Sequence, residues 1–391
     1  MSYYLSDLGI INALGTGKSA VLENLLREDQ SGMRPYGPML TGRYGVVGQV
    51  SGALPDLPPE FAEYDCRNNQ LLISAAAQIR ASIEQLKSRY GPDRIAVLIG
   101  TSTSGIAVAE AASDAVQAGR AMPGGYHYRQ QEIGTAAEFL ARYLSLTGPR
   151  YTISTACTSS AKTFSSGERL IAANLCDAVV VGGSDSLCKL TTNGFDALES
   201  MSDSICNPFS ANRKGINVGE GAALFLLSRD AAPIRLAGIG ESSDAYHMSA
   251  PEPSGKGAEL AIRRALANAK TAPEDVAYIN LHGTATVKND AMESCVINRV
   301  FGPETPCSST KSQIAHTLGA AGAQEIGICW LLLDEANAAR RLPRHLWDQV
   351  VDPELATIGL TGADAQWEND VLMSNSFAFG GSNASIVIGR C

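Results

Sequence analysis

Two stretches limit what this chain can fold into more than any other feature. Residues 94–99 read R-I-A-V-L-I and run into Gly100-Thr101-Ser102, and residues 177–184 read D-A-V-V-V-G-G-S, so an apolar run giving way to glycine occurs twice. A run with no polar alternation describes a strand covered on both faces, which requires a sheet sandwiched between helices. Further strands are expected over 9–14, 219–228, 234–239, 276–281 and 384–389, with helical spacing over 20–26, 69–86, 258–269 and 317–336, and strand with loop over 45–57. Strand and helix alternate on both sides of a midpoint near Ile234, which predicts a duplicated α/β body with halves at 1–232 and 233–391.

Composition supports that reading and removes several others. The 391 residues exceed one ordinary domain of about 150, and 45 % hydrophobic against 18 % charged residues describes a compact chain with a large core. A formal net charge of −9 argues against nucleic acid as a partner, because a phosphate backbone wants clustered Lys and Arg. Nine cysteines without a C-x-x-C pair point to neither a disulfide framework nor a zinc site, and favour a reducing compartment, the cytoplasm by default. No basic leader opens the sequence and no apolar run approaches a membrane span, so a soluble protein is expected.

Within that frame one cysteine stands apart. Residues 151–160 read Y-T-I-S-T-A-C-T-S-S, after which Ala161, Phe164, Gly167, Leu170, Ile171 and Ala172 recur at helical spacing. Cysteine is most often a small buried hydrophobe. Cys157 instead falls where a strand gives way to a helix, a place where free backbone N–H groups favour a thiolate nucleophile. Two of the five histidines, His282 in L-H-G-T-A-T and His316 in K-S-Q-I-A-H, lie in segments at strand ends, where open α/β sheets gather their ligands.

These segments and their order resemble the elongating β-ketoacyl-acyl-carrier-protein synthases. The resemblance rests on T-A-C-T-S-S at 155–160, N-P-F-S-A-N-R-K-G at 207–215, G-E-G at 219–221, H-G-T-A-T at 282–286, K-S-Q-I-A-H-T-L-G-A-A-G at 311–322 and S-N-S-F-A-F-G-G-S-N at 374–383. It covers nearly the whole chain and implies a thiolase-like fold, layered α-β-α-β-α with two mixed five-stranded sheets. It implies a Cys157, His282, His316 site supported by Lys311, with Glu325, Asp290 and Glu293 behind it. Asp290 and Glu293 are expected to be structural, paired with lysines or a monovalent cation, and solvated surface carboxylates are the ordinary alternative. The backbone N–H groups of Cys157 and Phe379 would form an oxyanion hole. Thr284 and Thr286 would meet the phosphopantetheine arm, and Phe195 and Phe379 would line the acyl pocket, with Phe379 as its gate. No metal and no resident cofactor are implied, because the phosphopantetheine arrives on an acyl carrier protein.

The chain also departs from the family pattern. Ala378 replaces a glycine before the gating phenylalanine, where an alanine would stiffen the loop if φ were positive. Ile216 stands where phenylalanine is common. Glu199 takes the place of an arginine that meets the acidic carrier, which leaves Arg67 and Arg129 as docking candidates. Residues 125–132, G-Y-H-Y-R-Q-Q-E, are polar where relatives that elongate plain fatty chains are apolar beside the acyl tail. Burying His127, Gln130 or Glu132 there unpartnered would cost about 1–3 kcal/mol each, which points to a specialised polyketide or aryl-polyene-like chain. A twofold dimer is implied, either of identical chains or with a chain-length-factor-like paralogue. The rival readings are a non-condensing partner subunit, which would have lost the nucleophile, and a thiolase or starter-condensing synthase, which would lack one histidine. A cysteine protease would have no use for the G-E-G and F-G-G-S-N segments.

Overall fold

The computed structural model describes residues 2–391. Five strands of the first half, β1 (Tyr3–Asn12), β2 (Ile95–Gly100), β3 (Arg150–Ile153), β4 (Ala178–Asp185) and β5 (Gly221–Ser228), lie in the order β3-β2-β4-β5-β1. Five of the second half, β6 (Ile234–Ser243), β7 (Tyr278–Asn280), β8 (Pro306–Ser308), β9 (Val371–Phe377) and β10 (Ser382–Arg390), lie in the order β8-β7-β9-β10-β6. Directions match as well. β2 is parallel to β3 and β4 while β5 is antiparallel to both its neighbours, and β7 and β10 behave in the same way in their half. The two sets are therefore the same topology written twice.

In one respect the sheet differs from the expected pair. β1 and β6 pair antiparallel through Tyr3↔Leu236 and Tyr4↔Arg235, which joins the two five-stranded sets into one hydrogen-bonded sheet. The physical reason is that each half places its first strand at the inner edge, so the two unpaired edges meet and satisfy each other.

Alternation explains why these strands are apolar throughout. On β2, Ala96 and Leu98 face one core while Ile95, Val97 and Ile99 face another, and on β5 Ala223, Phe225 and Leu227 part from Ala222, Leu224 and Leu226 in the same manner. The shared middle core holds α2 (Ser159–Ala172) and α5 (Ala321–Leu333), named here with α1 (Arg67–Gln78), α3 (Lys256–Ala269) and α4 (Val287–Phe301) in chain order. α1 covers the outer face of the first half, and α3 and α4 cover that of the second. The five layers follow directly. α5 is buried at every position, as a helix apolar on all sides must be.

Some elements depart from expectation. β1 starts at Tyr3 rather than residue 9. The helix expected over 69–86 breaks at Ile79 (φ −112°, ψ 13°) into α1 and Arg80–Tyr90. The helix expected over 317–336 is a 3₁₀ turn, Leu318–Ala320, followed by α5, which stops at Asp334. Helices Ile106–Gln117, Thr135–Tyr143 and α4, together with strand β9, were not anticipated; β9 buries Ser374, Asn375 and Ser376, a polar run that does not read as a core strand.

Candidate active site

Glycine at the end of β2 sets the position of the nucleophile. A Cβ on Gly100 would lie 2.2 Å from the backbone nitrogen of Ser160, so only glycine lets the start of α2 rest against the strand end. Ahead of the helix the chain makes a tight turn. Ala156 has φ +52°, Thr155 N donates to Ser159 Oγ at 2.9 Å, and Thr158 Oγ1 donates to Thr155 O at 2.8 Å and lies 3.0 Å from Ser382 Oγ. A non-glycine residue held left-handed beside a reactive side chain is strain retained for geometry. Cys157 thus sits two residues before α2, not within its first turn.

This thiol is buried, and burial pushes it up to about 11, while the Lys311 charge and the N–H groups of Phe379 and Cys157 pull it down. Burial thus works against the thiolate that a place before a helix favours, and the donors are in place to receive charge when it develops. Those two N–H groups are the pair anticipated for the oxyanion hole.

His316 Nε2 lies 3.0 Å from Cys157 Sγ. Its Nδ1 accepts the backbone N–H of Leu318 at 3.2 Å, which assigns the ring proton to Nε2 and aims that N–H at the sulfur. The ring of His282 meets that of His316 edge-on, with centroids 5.3 Å apart and planes at 87°. Burial, with Lys311 next, holds both histidines well below the ordinary imidazole range, so both are neutral donors at pH 7.

Lys311 and Glu325 form an ion pair in which each side chain is 1 % exposed. Burial pushes the Glu325 carboxyl up to about 7 against the pull of Lys311. Lys311 does not line the cavity above the sulfur; it lowers Cys157 and both histidines from behind.

Asp290 and Glu293 on α4 are fully buried, which overturns the solvated alternative. Neither pairs with a lysine. Glu293 accepts the N–H groups of His282 at 2.8 Å and Gly283 at 2.7 Å, and Asp290 accepts that of Phe209 at 2.8 Å, so the two carboxylates tie down the loops that carry His282 and the 207–215 segment.

Cys157, His282, His316, Thr284, Thr286, Phe195 and Phe379 line one cavity of ≈ 490 Å³. Thr284 and Thr286 share a hydrogen bond at 2.9 Å, and the rings of Phe195 and Phe379 lie 5.6 Å apart. Ala378 causes no strain here. The left-handed positions of this turn are Gly380 (φ +84°) and Gly381 (φ +75°), while Ala378 donates its N–H to Ser382 O at 2.8 Å. Lys214, Ile216 and Lys288 also line the cavity. Lys214 and Ile216 belong to the 207–215 segment and its margin, whose hairpin-like return toward the histidines leaves no trace in hydrophobic periodicity.

The docking candidates fare differently. Arg67 is held bidentate by buried Glu220, at 2.7 and 2.6 Å, with its side chain still 35 % exposed. Arg129 pairs with Glu138 and Tyr64. Glu199 lines the cavity with φ +52°. In the 125–132 segment, Gln130 is buried but satisfied: its Oε1 accepts His127 N–H and its Nε2 donates to Gly125 O, both at 2.9 Å. His127 is exposed in the single chain.

The sulfur and the two histidines offer donor atoms within 4.8 Å of one another, close enough for a soft metal ion. The neighbouring Lys311 ammonium opposes a second cation there.

A nucleophile from one half of a duplicated α/β body, faced by two neutral histidines from the other half, defines an acyl-transfer enzyme of the thiolase-like class. The chain belongs to the β-ketoacyl synthase family: residues 60–232 match the model "Beta-ketoacyl synthase, N-terminal domain" and residues 234–343 match "Beta-ketoacyl synthase, C-terminal domain". It is 31 % identical to nodulation protein E of Rhizobium meliloti (strain 1021), over 97 % of each chain. It is also 31 % identical to 3-oxoacyl-[acyl-carrier-protein] synthase 1 of Haemophilus influenzae, over 99 % of this chain and 98 % of that one. Among solved structures it matches a chain of the ketosynthase ApeO in complex with its chain length factor ApeC from Xenorhabdus doucetiae, with TM-score 0.96 and 45 % identity over 100 % of this chain and 98 % of that one. The activity is that of a 3-oxoacyl-[acyl-carrier-protein] synthase, an acyltransferase. Among the described residues no helix is long and apolar enough to cross a membrane.

Proposed function

We propose that this chain is the condensing subunit of a specialised polyketide or aryl-polyene-type system, working in the cytoplasm beside a chain-length-factor-like paralogue. The observation that carries the reading is the Cys157 Sγ to His316 Nε2 approach of 3.0 Å with His282 adjoining, a complete site that a non-condensing partner has no need to keep. The likeness to a ketosynthase that pairs with a chain length factor supports the partner and the pathway class. The unpaired outer edge of β3, where Tyr151 is 40 % exposed, supports pairing with another subunit.

In the first half-reaction the sulfur of Cys157 attacks the carrier thioester, and the tetrahedral oxyanion is held by the N–H groups of Cys157 and Phe379. Collapse expels the phosphopantetheine sulfur, which takes up the proton that the Cys157 thiol gives up and leaves as a thiol, with the acyl group now on Cys157. In the second, the malonyl thioester oxygen accepts the ring N–H groups of His282 and His316. The bond to the carboxylate breaks, carbon dioxide leaves, and the enolate carbon attacks the acyl carbonyl, expelling the Cys157 sulfur as a thiolate that a proton from solvent returns to the thiol. Neutral donors suit this step because they stabilise the enolate without protonating its carbon. Thr284 and Thr286 meet the amides of the phosphopantetheine arm, Phe195 and Phe379 line the acyl channel, and no resident cofactor is needed.

The test is to express the chain with and without its neighbouring paralogue, supply acyl- and malonyl-carrier thioesters, and follow protein and products by mass. An acyl adduct on wild type that is absent from Cys157→Ala, and chain extension that requires the paralogue, are expected. A stable homodimer that extends saturated acyl carriers without any response to the paralogue would remove the partner and pathway assignment.

A further inference from the structure

One buried carboxylate takes no part in the steps above. Asp185, the last residue of β4, is wholly buried, and no cation pairs with it among the described residues. Its Oδ1 accepts Thr101 Oγ1–H at 2.7 Å and the Ser102 N–H, Thr103 N–H and Thr103 Oγ1–H at 2.8 Å each, while its Oδ2 accepts the Ala320 N–H at 3.1 Å. Five donors are what a desolvated carboxylate needs in place of water.

The donors come from two separate turns. Thr101, Ser102 and Thr103 form the turn after β2, which touches the nucleophile turn where Ser102 Oγ faces Ala156 O at 3.5 Å. Ala320 belongs to the 3₁₀ turn Leu318–Ala320, whose first amide orders Nδ1 of His316. The turns are pressed together across the carboxylate: a Cβ on Gly319 would lie 2.7 Å from Ser102 N and 2.8 Å from Asp185 Oδ2. We propose that Asp185 is a positioning residue that fixes the approach of His316 to Cys157 by clamping the turns behind each of them. Removing the clamp deletes no group that touches substrate but frees the two turns to drift apart.

Asp185→Asn is the direct test, because a carboxamide accepts on one side only and presents an N–H to the donors on the other. Acylation turnover should fall about 100-fold, the effect of a misplacement near 1 Å, with the acyl-donor KM little changed. A merely structural role would not shift the reactivity of the sulfur. Iodoacetamide alkylation of Cys157 should therefore move to higher pH, as it also should when His316→Ala removes the donor to sulfur, and the double variant should move no further than either single one. Thr101→Val, which removes one of the five donors together with the acceptor of the Ser104 N–H and keeps the charge, should shift the profile in the same direction by less. An unshifted alkylation profile in both variants, or shifts that add in the double variant, overturns the proposal.

Discussion

Replacing Lys311 by methionine tests the electrostatics on which the site depends. The substitution keeps an unbranched side chain of similar volume and removes only the ammonium, leaving Glu325 buried beside nothing that answers its charge. Glu325 Oε2 already lacks a hydrogen-bond partner, so the loss cannot be taken up locally. At ~4 Å and an effective dielectric constant of ~20 the pair attraction is about 4 kcal/mol, and breaking a buried pair from one side costs about 3–5 kcal/mol. The cost should depend on pH. Glu325 stands near 7 with Lys311 holding it down, so without the lysine its folded-state value rises further above the unfolded one. A carboxyl raised in the folded state contributes stability below its unfolded value that is lost as pH climbs through the folded one. Lys311→Met should therefore cost less at pH 6, where the carboxyl keeps its proton, than at pH 9. Urea melts at the two pH values measure this, and Lys311→Met with Glu325→Leu should recover most of the loss, since the unpaired charge is gone. Alkylation of Cys157 should slow in both variants, because Lys311 lowers the thiol. A loss under about 1 kcal/mol at both pH values, or a double variant less stable than the single one, would refute the reasoning.

Two other outcomes follow from the same geometry. Arg67→Met should lower stability by about 3 kcal/mol or more, because it leaves Glu220 buried and unpaired, and should leave the KM for the carrier unchanged; a raised carrier KM in a normally stable variant would return Arg67 to the docking surface. Burial pushes Glu293 up to about 7, so Glu293→Gln should gain on wild type in urea melts by about 1 kcal/mol per pH unit as pH rises from the unfolded carboxylate range toward 7; a constant difference across that window would show that the group titrates normally.

What could be read from the residues was whatever local spacing determines. The unbroken apolar runs of β2 and β4 reported a sheet covered on both faces, and the T-A-C-T-S-S turn with the two histidine segments marked side chains that the fold brings together. Features set by distant partners stayed hidden. Nothing in α1 announces that Arg67 will find Glu220, and the break at Ile79 lies in an apolar stripe that continues across it. In the polar 125–132 segment, Gln130 turns its side chain to its own loop, which no local spacing announces. The thiol was expected ionised from its place before a helix, but burial outweighs the donors around it. Asp185 reads as one more acid after a strand, and its five donors come from residues up to 135 positions away.

The joined sheet has a consequence for how the catalyst comes into being. β10 is the last strand in chain order, yet it lies between β9 and β6, and the second half cannot close its ladder until that strand has been inserted. Cys157 is synthesised 159 positions before His316, so for much of its time on the ribosome the nascent chain carries its sulfur without the histidine that faces it. Such distant pairings favour late, all-at-once assembly. The reactive centre is therefore also a marker of completed folding, with alkylation of Cys157 reporting whether the two halves have met.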